Sequence, residues 1–176
     1  MKYFWISFAA GSALIAWFSW AISIRARRFH GIARFFAFEG ILALFILNVR
    51  FWFDEPLSVL HTLSWVLLIS SSILAVGSVL TYLKFAAPRA QFENSTRLVV
   101  NGIYRFIRHP MYGSLILLGL GIFLKRVTAL TSVLAFVVVV ALCLTALIEE
   151  GEMRARFGEE YIAYRKRTKR FVPFLF

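Results

Sequence analysis

Acidic residues are scarce in this sequence. Nine Asp and Glu stand against 20 Lys and Arg, for a formal net charge of +11. Cysteine is reduced to Cys143. One thiol excludes an internal disulfide and a cysteine-based metal site, and its place inside an apolar run suits a small buried hydrophobe. Internal repeats and low-complexity tracts are absent. A signal peptide is also not legible: the first apolar run, residues 3–24, outlasts the about 7–15 residues of an h-region, and its cations (Arg25, Arg27, Arg28) follow it instead of preceding it. The positive excess does not describe a nucleic-acid binder, because the cations sit between long apolar runs and not on one basic face. Apolar side chains are what the sequence has in abundance. Hydrophobic residues make up 60%, Phe alone numbers 19, and mean hydropathy is +0.76, beyond the roughly half-apolar composition of a soluble domain. The class indicated is an all-α integral membrane protein whose Lys and Arg set orientation and meet anionic headgroups.

A length of 176 residues allows a single domain, 1–176. A span needs about 20 apolar residues. Runs at 3–24, 35–53, 57–83 and 127–148 meet that length, and the first three form an N-terminal half, 1–83. A fourth run in chain order, 112–124, holds roughly 13 residues, about 20 Å of helix. Lys125-Arg126 turns it back on the last run, so 112–148 is expected as a helical hairpin, giving about five transmembrane helices. Sixteen of the 20 Lys and Arg fall in the loops after the first and third runs and in the tail. The positive-inside rule then places the N-terminus outside and the C-terminus in the cytoplasm. Glu39, near the cytoplasmic end of the second run, either lines a polar cavity, snorkels or pairs with Arg34.

Two polar blocks interrupt this pattern. The first, LVVNGIYRFIRHPMYGS (Leu98–Ser114), contains an Asn101-Gly102 turn signal. Pro110 favours a helix start, with Arg108-His109 just ahead of it. Free N–H groups and the positive dipole end suit a carboxylate or phosphate there, and Tyr104 and Tyr112 add flat faces. Tyr and Arg also serve as interfacial anchors, but anchoring leaves His-Pro and Asn-Gly unexplained. The second block runs from Glu149 to Pro173. Glu149-Glu150 close the last span at a helix C-terminal side that disfavours negative charge, so they call for a cation: Arg108, a ligand amine, or both. Met153, Phe157, Tyr161 and Tyr164 follow on one helical face, with a break expected at Gly158. Alone, this tail reads as an amphipathic helix on the headgroups. An anion site, an amine-seeking acid pair and aromatic faces fit S-adenosylmethionine; NADPH, with its flat ring and anions, is the other candidate.

G-x-Y-x-x-x-R-H-P-x-Y (Gly102, Tyr104, Arg108, His109, Pro110, Tyr112), a hairpin, E-E-x-x-[LM]-x-x-x-F-G-x-x-Y-x-x-Y and a final R-x-x-P (Arg170, Pro173) together resemble the isoprenylcysteine carboxyl methyltransferase family, which is grouped with phospholipid methyltransferases. The resemblance covers about residues 97–173. It implies an integral membrane enzyme that uses S-adenosylmethionine without a Rossmann-type domain, and this chain likewise lacks G-x-G-x-x-G after a strand. It implies a cytoplasmic cofactor pocket held by His109, Tyr104, Tyr112, Arg108, Pro110 and Tyr161 with the backbone of Asn101, Gly102 and Ile103. Glu150, with Glu149, would take the amine or ribose, and Arg170 would lie near the acceptor. Catalysis would fall to Arg170, Glu149 and His109, on a lipophilic acceptor entering sideways from the bilayer: an isoprenylcysteine carboxylate, a phospholipid amine or another amphiphile. Met153 stands where Leu is usual and Thr168-Lys169 where Val-Pro is common. Two rivals remain, a membrane reductase of the sterol type, with a similar R-H-P-x-Y and NADPH, and a non-enzymatic protein binding anionic lipid.

Overall fold

Five helices carry the chain in the computed structural model, which describes residues 2–25, 28–54, 58–86 and 97–172. Arg27, Leu57, Arg89 and Pro173, used above, lie outside the described residues. Helix α1 (Lys2–Ser19) runs into a π-helical turn, Trp20–Ile24. Helix α2 (His30–Asn48) ends in a 3-10 turn, Val49–Phe51. Helix α3 (Val59–Phe85) is followed by a 3-10 turn at Gly102–Arg105, then by α4 (Pro110–Phe123) and α5 (Ala129–Arg167). Among the described residues there is no strand, only a parallel bridge between Ile107 and Lys169.

Local chemistry sets the helix starts. Ser58 caps α3 by accepting from the His61 amide at 3.3 Å. Thr128 and Thr131 form a reciprocal capping box on α5, at 3.2 and 2.9 Å. Pro110 occupies the first turn of α4, where its missing N–H costs nothing. Among the described residues, four helices are long and apolar enough to cross a membrane, and their outward faces carry exposed Trp17, Ile73 and Phe136, as lipid contact demands. The chain is an integral membrane protein. The short helix α4 spans 14 residues, about 21 Å at 1.5 Å per residue, less than the ~30 Å hydrocarbon core. It packs chiefly on α3. Ser64 donates to the Gly121 carbonyl at 2.6 Å, Ser71 to that of Ser114 at 2.7 Å, and Asn48 to that of Ile122 at 2.8 Å. The Gly121 and Ile122 carbonyls lie in the last turn, where intrahelical donors run out, and that of Ile122 also accepts from the Lys125 amide at 3.1 Å.

Beyond that turn, the Lys125 ammonium lies 3.8 Å from the centre of the Trp65 ring, and the Arg126 guanidinium 4.1 Å from that of Phe51. Burial holds Lys125 below its ordinary pKa, and the aromatic face partly offsets the lost hydration.

One sequence boundary moves and one expected break is found. Helix α2 begins at His30, five residues before the expected 35, because His30, Gly31 and Arg34 interrupt the apolar pattern in its first turns. The break expected at Gly158 is present: its φ of 53° and ψ of −127° are not helical, and two helical stretches meet there at a kink within α5. From Ala129, about 20 residues suffice to match the ~30 Å hydrocarbon core, and the charged part of α5 begins at Glu149. Glu39 accepts a hydrogen bond from Ser12 of α1 and is not among the described residues lining the main cavity.

Candidate active site

The two polar blocks meet because the tail folds back over the start of α4. The Arg108 amide donates to the Lys169 carbonyl at 2.8 Å, the His109 amide to that of Arg170 at 3.1 Å, and the Lys169 amide to that of Phe106 at 3.2 Å. This short parallel pairing straps residues 168–171 across 106–109. Gly102 takes φ +58° and approaches Thr81 of α3 so closely that a β-carbon would fall 2.8 Å from its methyl group. Glycine is the residue this turn accepts without strain.

At the strap lies a charge cluster centred on Glu150, which is 6% exposed. Arg108 Nε and Nη2 each reach Glu150 Oε1 at 3.1 Å; Arg170 Nε reaches the same oxygen at 3.0 Å and its Nη2 reaches Oε2 at 3.2 Å. His109 Nε2 stands 3.5 Å from Oε1. Arg108 Nη1 also donates to the Thr168 carbonyl. Burial pushes the Glu150 carboxyl up, but His109, Arg170 and Arg108 outweigh it and hold the group well below the usual carboxylate range. Glu150 is therefore a fixed anion whose hydrogen-bonding capacity is already engaged by protein cations.

Above this cluster opens a cavity of about 330 Å³, within the range of small-molecule sites. The first block contributes Tyr104, Arg108, His109, Pro110 and Tyr112 to its wall. The His109 and Tyr112 rings stack, 5.6 Å apart and 16° from parallel. Helix α5 contributes Glu149, Met153, Phe157, Tyr161 and Tyr164, so the spacing that suggested one helical face does face one space. Glu149 Oε2 lies 3.7 Å from His109 Nδ1. The Tyr164 hydroxyl donates to the Tyr104 carbonyl at 2.7 Å. The Tyr161 hydroxyl is buried without a hydrogen-bond partner among the described residues, a costly arrangement in the absence of a ligand. Burial raises the pKa values of Tyr104, Tyr161 and Tyr164, so all three are neutral donors at physiological pH.

The sequence-derived residues therefore divide. Tyr104, Arg108, His109, Pro110, Tyr112, Glu149 and Tyr161 line the cavity. Glu150 and Arg170 sit behind it, bound to each other. Asn101, Gly102 and Ile103 belong to the adjoining turn and are not among the described lining residues. The acid that faces the cavity is Glu149, not Glu150: neighbours on a helix point about 100° apart, and the sequence does not say which way. The cavity also has a wall that the motifs did not announce. Phe18, Ile22, Arg28, His30, Arg34 and Phe38 reach it from the N-terminal half. The available signal was the four-residue spacing of His30, Arg34 and Phe38, hidden by reading the polar turn as loop.

The family model described as phospholipid methyltransferase matches residues 57–160. A probable protein-S-isoprenylcysteine O-methyltransferase of Oryza sativa subsp. indica is 30% identical over 89 residues, 49% of this chain and 46% of that protein. Protein-S-isoprenylcysteine O-methyltransferase B of Arabidopsis thaliana is 28% identical over 107 residues, 60% of this chain and 52% of that protein. The chain spans about half the length of the curated relatives it matches.

Proposed function

Because the chain belongs to the phospholipid methyltransferase family, we propose that it is an S-adenosylmethionine-dependent methyltransferase acting on a lipophilic acceptor at the membrane surface. The observation that carries this reading is the buried Tyr161 hydroxyl without a partner, in a wall shared with Glu149 and the stacked His109–Tyr112 pair. These groups fit the donor: the carboxylate of Glu149 suits its amine, the α4 N-terminus suits its carboxylate, and the tyrosine hydroxyl and ring faces suit its ribose and base. When bound, S-adenosylmethionine supplies an electrophilic methyl group on a sulfonium.

The protein's part is positioning and exclusion of water. Tyr104, Tyr112, Met153 and Phe157 make the cavity largely apolar. Glu150 holds Arg108 and Arg170 in place, and through the strap fixes the α4 N-terminus. Arg170 thus acts as a positioning residue in this reading. A carboxylate acceptor needs no base. An amine acceptor must first lose a proton, and Glu149, 3.7 Å from His109, offers a proton acceptor on the wall. The cation asymmetry of the loops favours a cytoplasmic site, with the N-terminus outside and five spans including α4.

Calorimetric titration of the purified protein with S-adenosylmethionine and with NADPH tests the donor. Heat with the first alone is expected; heat with NADPH alone would replace this reading with the reductase. Incubation with methyl-labelled donor and total membrane lipid would then identify the acceptor by its label.

A further inference from the structure

A second cavity, of about 280 Å³, is lined by Arg108, Arg165, Thr168, Lys169 and Arg170. Three segments converge on it: the residues ahead of α4, the last turn of α5 and the strap. Apart from Thr168, every lining side chain is a cation. The donors of Arg108 are engaged, Nε and Nη2 by Glu150 and Nη1 by the carbonyls of Arg165 and Thr168. Those carbonyls end α5, and Arg108 covers the negative pole they present. Arg170 gives Nε and Nη2 to Glu150 and keeps Nη1. Arg165 Nε stands 3.8 Å from Glu150 Oε2, an ion pair without a hydrogen bond. Arg165 and Lys169 are exposed. Among the described residues, the two terminal nitrogens of Arg165, Lys169 Nζ and Arg170 Nη1 have no acceptor.

Charge indicates what belongs there. Glu150 is the one carboxylate among the described residues within ion-pair distance of these cations. Four positive charges against that one leave an excess of three. Donors arriving from separate side chains suit a tetrahedral oxyanion, which accepts from several directions, whereas a flat carboxylate is served by a single guanidinium fork. Position favours a lipid source. The strap lies at the start of α4, where the apolar length of that helix begins, so the cavity stands at the level of the headgroups. Phe106, whose carbonyl accepts from the Lys169 amide, and Val172 are exposed at the strap, and basic with apolar side chains together mark contact with anionic lipid. We infer that this cavity is a binding site for a phosphate-bearing anion, the head of an acidic phospholipid, held by Arg165, Lys169 and Arg170 Nη1. The phosphate bridges the end of α5 to the strap and so holds the tail on the start of α4. Arg108 borders both cavities, but none of the three donors lines the larger one. The site goes beyond the methyltransferase reading and does not rest on it.

The test uses the full chain in uncharged maltoside micelles, titrated with three probes: dihexanoyl phosphatidylglycerol, glycerol phosphate and dihexanoyl phosphatidylcholine. Phosphatidylglycerol is expected to bind more tightly than phosphatidylcholine. Arg165→Gln and Lys169→Gln should each weaken it about tenfold, the scale of one charge-assisted hydrogen bond. Lys166→Gln and Arg167→Gln, exposed on the same tail but outside the cavity lining, should change it about twofold or less. Glycerol phosphate bound as tightly as phosphatidylglycerol, with the same dependence on Arg165 and Lys169, supports the phosphate site and assigns it a soluble source. An equal loss from Lys166→Gln or Arg167→Gln overturns the inference in favour of a diffuse basic surface. So does an affinity unchanged by Arg165→Gln and Lys169→Gln, phosphatidylcholine bound as tightly as phosphatidylglycerol, or a parent protein that binds neither phosphate anion. Both substituted side chains are exposed, and an unfolding midpoint equal to the parent's without probe certifies each variant's fold.

Discussion

Glu150 and Tyr161 are both buried polar groups beside one cavity, and they carry opposite expectations. Glu150 is fully engaged, so Glu150→Gln leaves Arg108 and Arg170 without their counter-ion. A loss of about 3–5 kcal/mol is expected, read as a lower unfolding midpoint in detergent. The pH dependence has a definite sign. The folded pKa of Glu150 is depressed, so its contribution is complete above the ordinary Glu value of about 4.3 and is lost as pH falls through that value toward the lower folded one. The stability gap between parent and Glu150→Gln should therefore be constant near neutrality and shrink in acid; a gap unchanged down to pH 3 would contradict this. Tyr161→Phe should behave in reverse. Removing an unsatisfied hydroxyl leaves the unliganded protein as stable or more so, while S-adenosylmethionine binding loses about 1 kcal/mol, roughly fivefold, by titration. The Arg108–Glu150 pair was legible in the sequence, since adjacent acids at the end of a span demand a cation. Arg170 as a third member was not, because the fold-back that delivers it follows no periodicity.

Elements were legible where an apolar period or a cap marked them and obscured where polarity changed within a helix. Pro110 announced the start of α4, and the Met153–Tyr164 spacing announced the face of α5. The first turn of α2 went unread because His30, Gly31 and Arg34 lack an apolar signature, although His30 and Arg34 line the cavity. Gly158 was legible as a break, and the chain changes direction there between two helical stretches. The bend has a simple energetic basis. A β-carbon at Gly158 meets nothing within 4 Å, and its φ is +53°, so any cost of substitution is torsional and not steric. Gly158→Ala should lose about 1–3 kcal/mol and weaken S-adenosylmethionine binding by tilting Tyr161 and Tyr164 from the wall. Gly151 also has open space around it, with no positive φ, so Gly151→Ala should gain up to about 1 kcal/mol from helix propensity. Thermal midpoints of the pair check both signs, and equal shifts would refute the torsional account.

At the scale of the whole molecule, the orientation proposed from the charge distribution can be tested at two exposed positions. With Cys143 replaced by Ser, single cysteines at exposed Asp54 and Glu160 report opposite faces. An impermeant maleimide applied to intact cells should label Asp54→Cys at once and Glu160→Cys only after permeabilisation; the reverse pattern would invert the topology. The strap at residues 168–171 has a consequence for biogenesis. Its partner, 106–109, is synthesised some sixty residues earlier, and α5 emerges between the two. Insertion of the helices and closure of the pocket are therefore separate events in time, with Arg108 and Glu150 both made before Arg170 joins them. A nascent or truncated chain ending before the strap would sit in the membrane with an unlatched, ligand-incompetent pocket. For the same reason, a purification handle belongs at the N-terminal end, away from the latch.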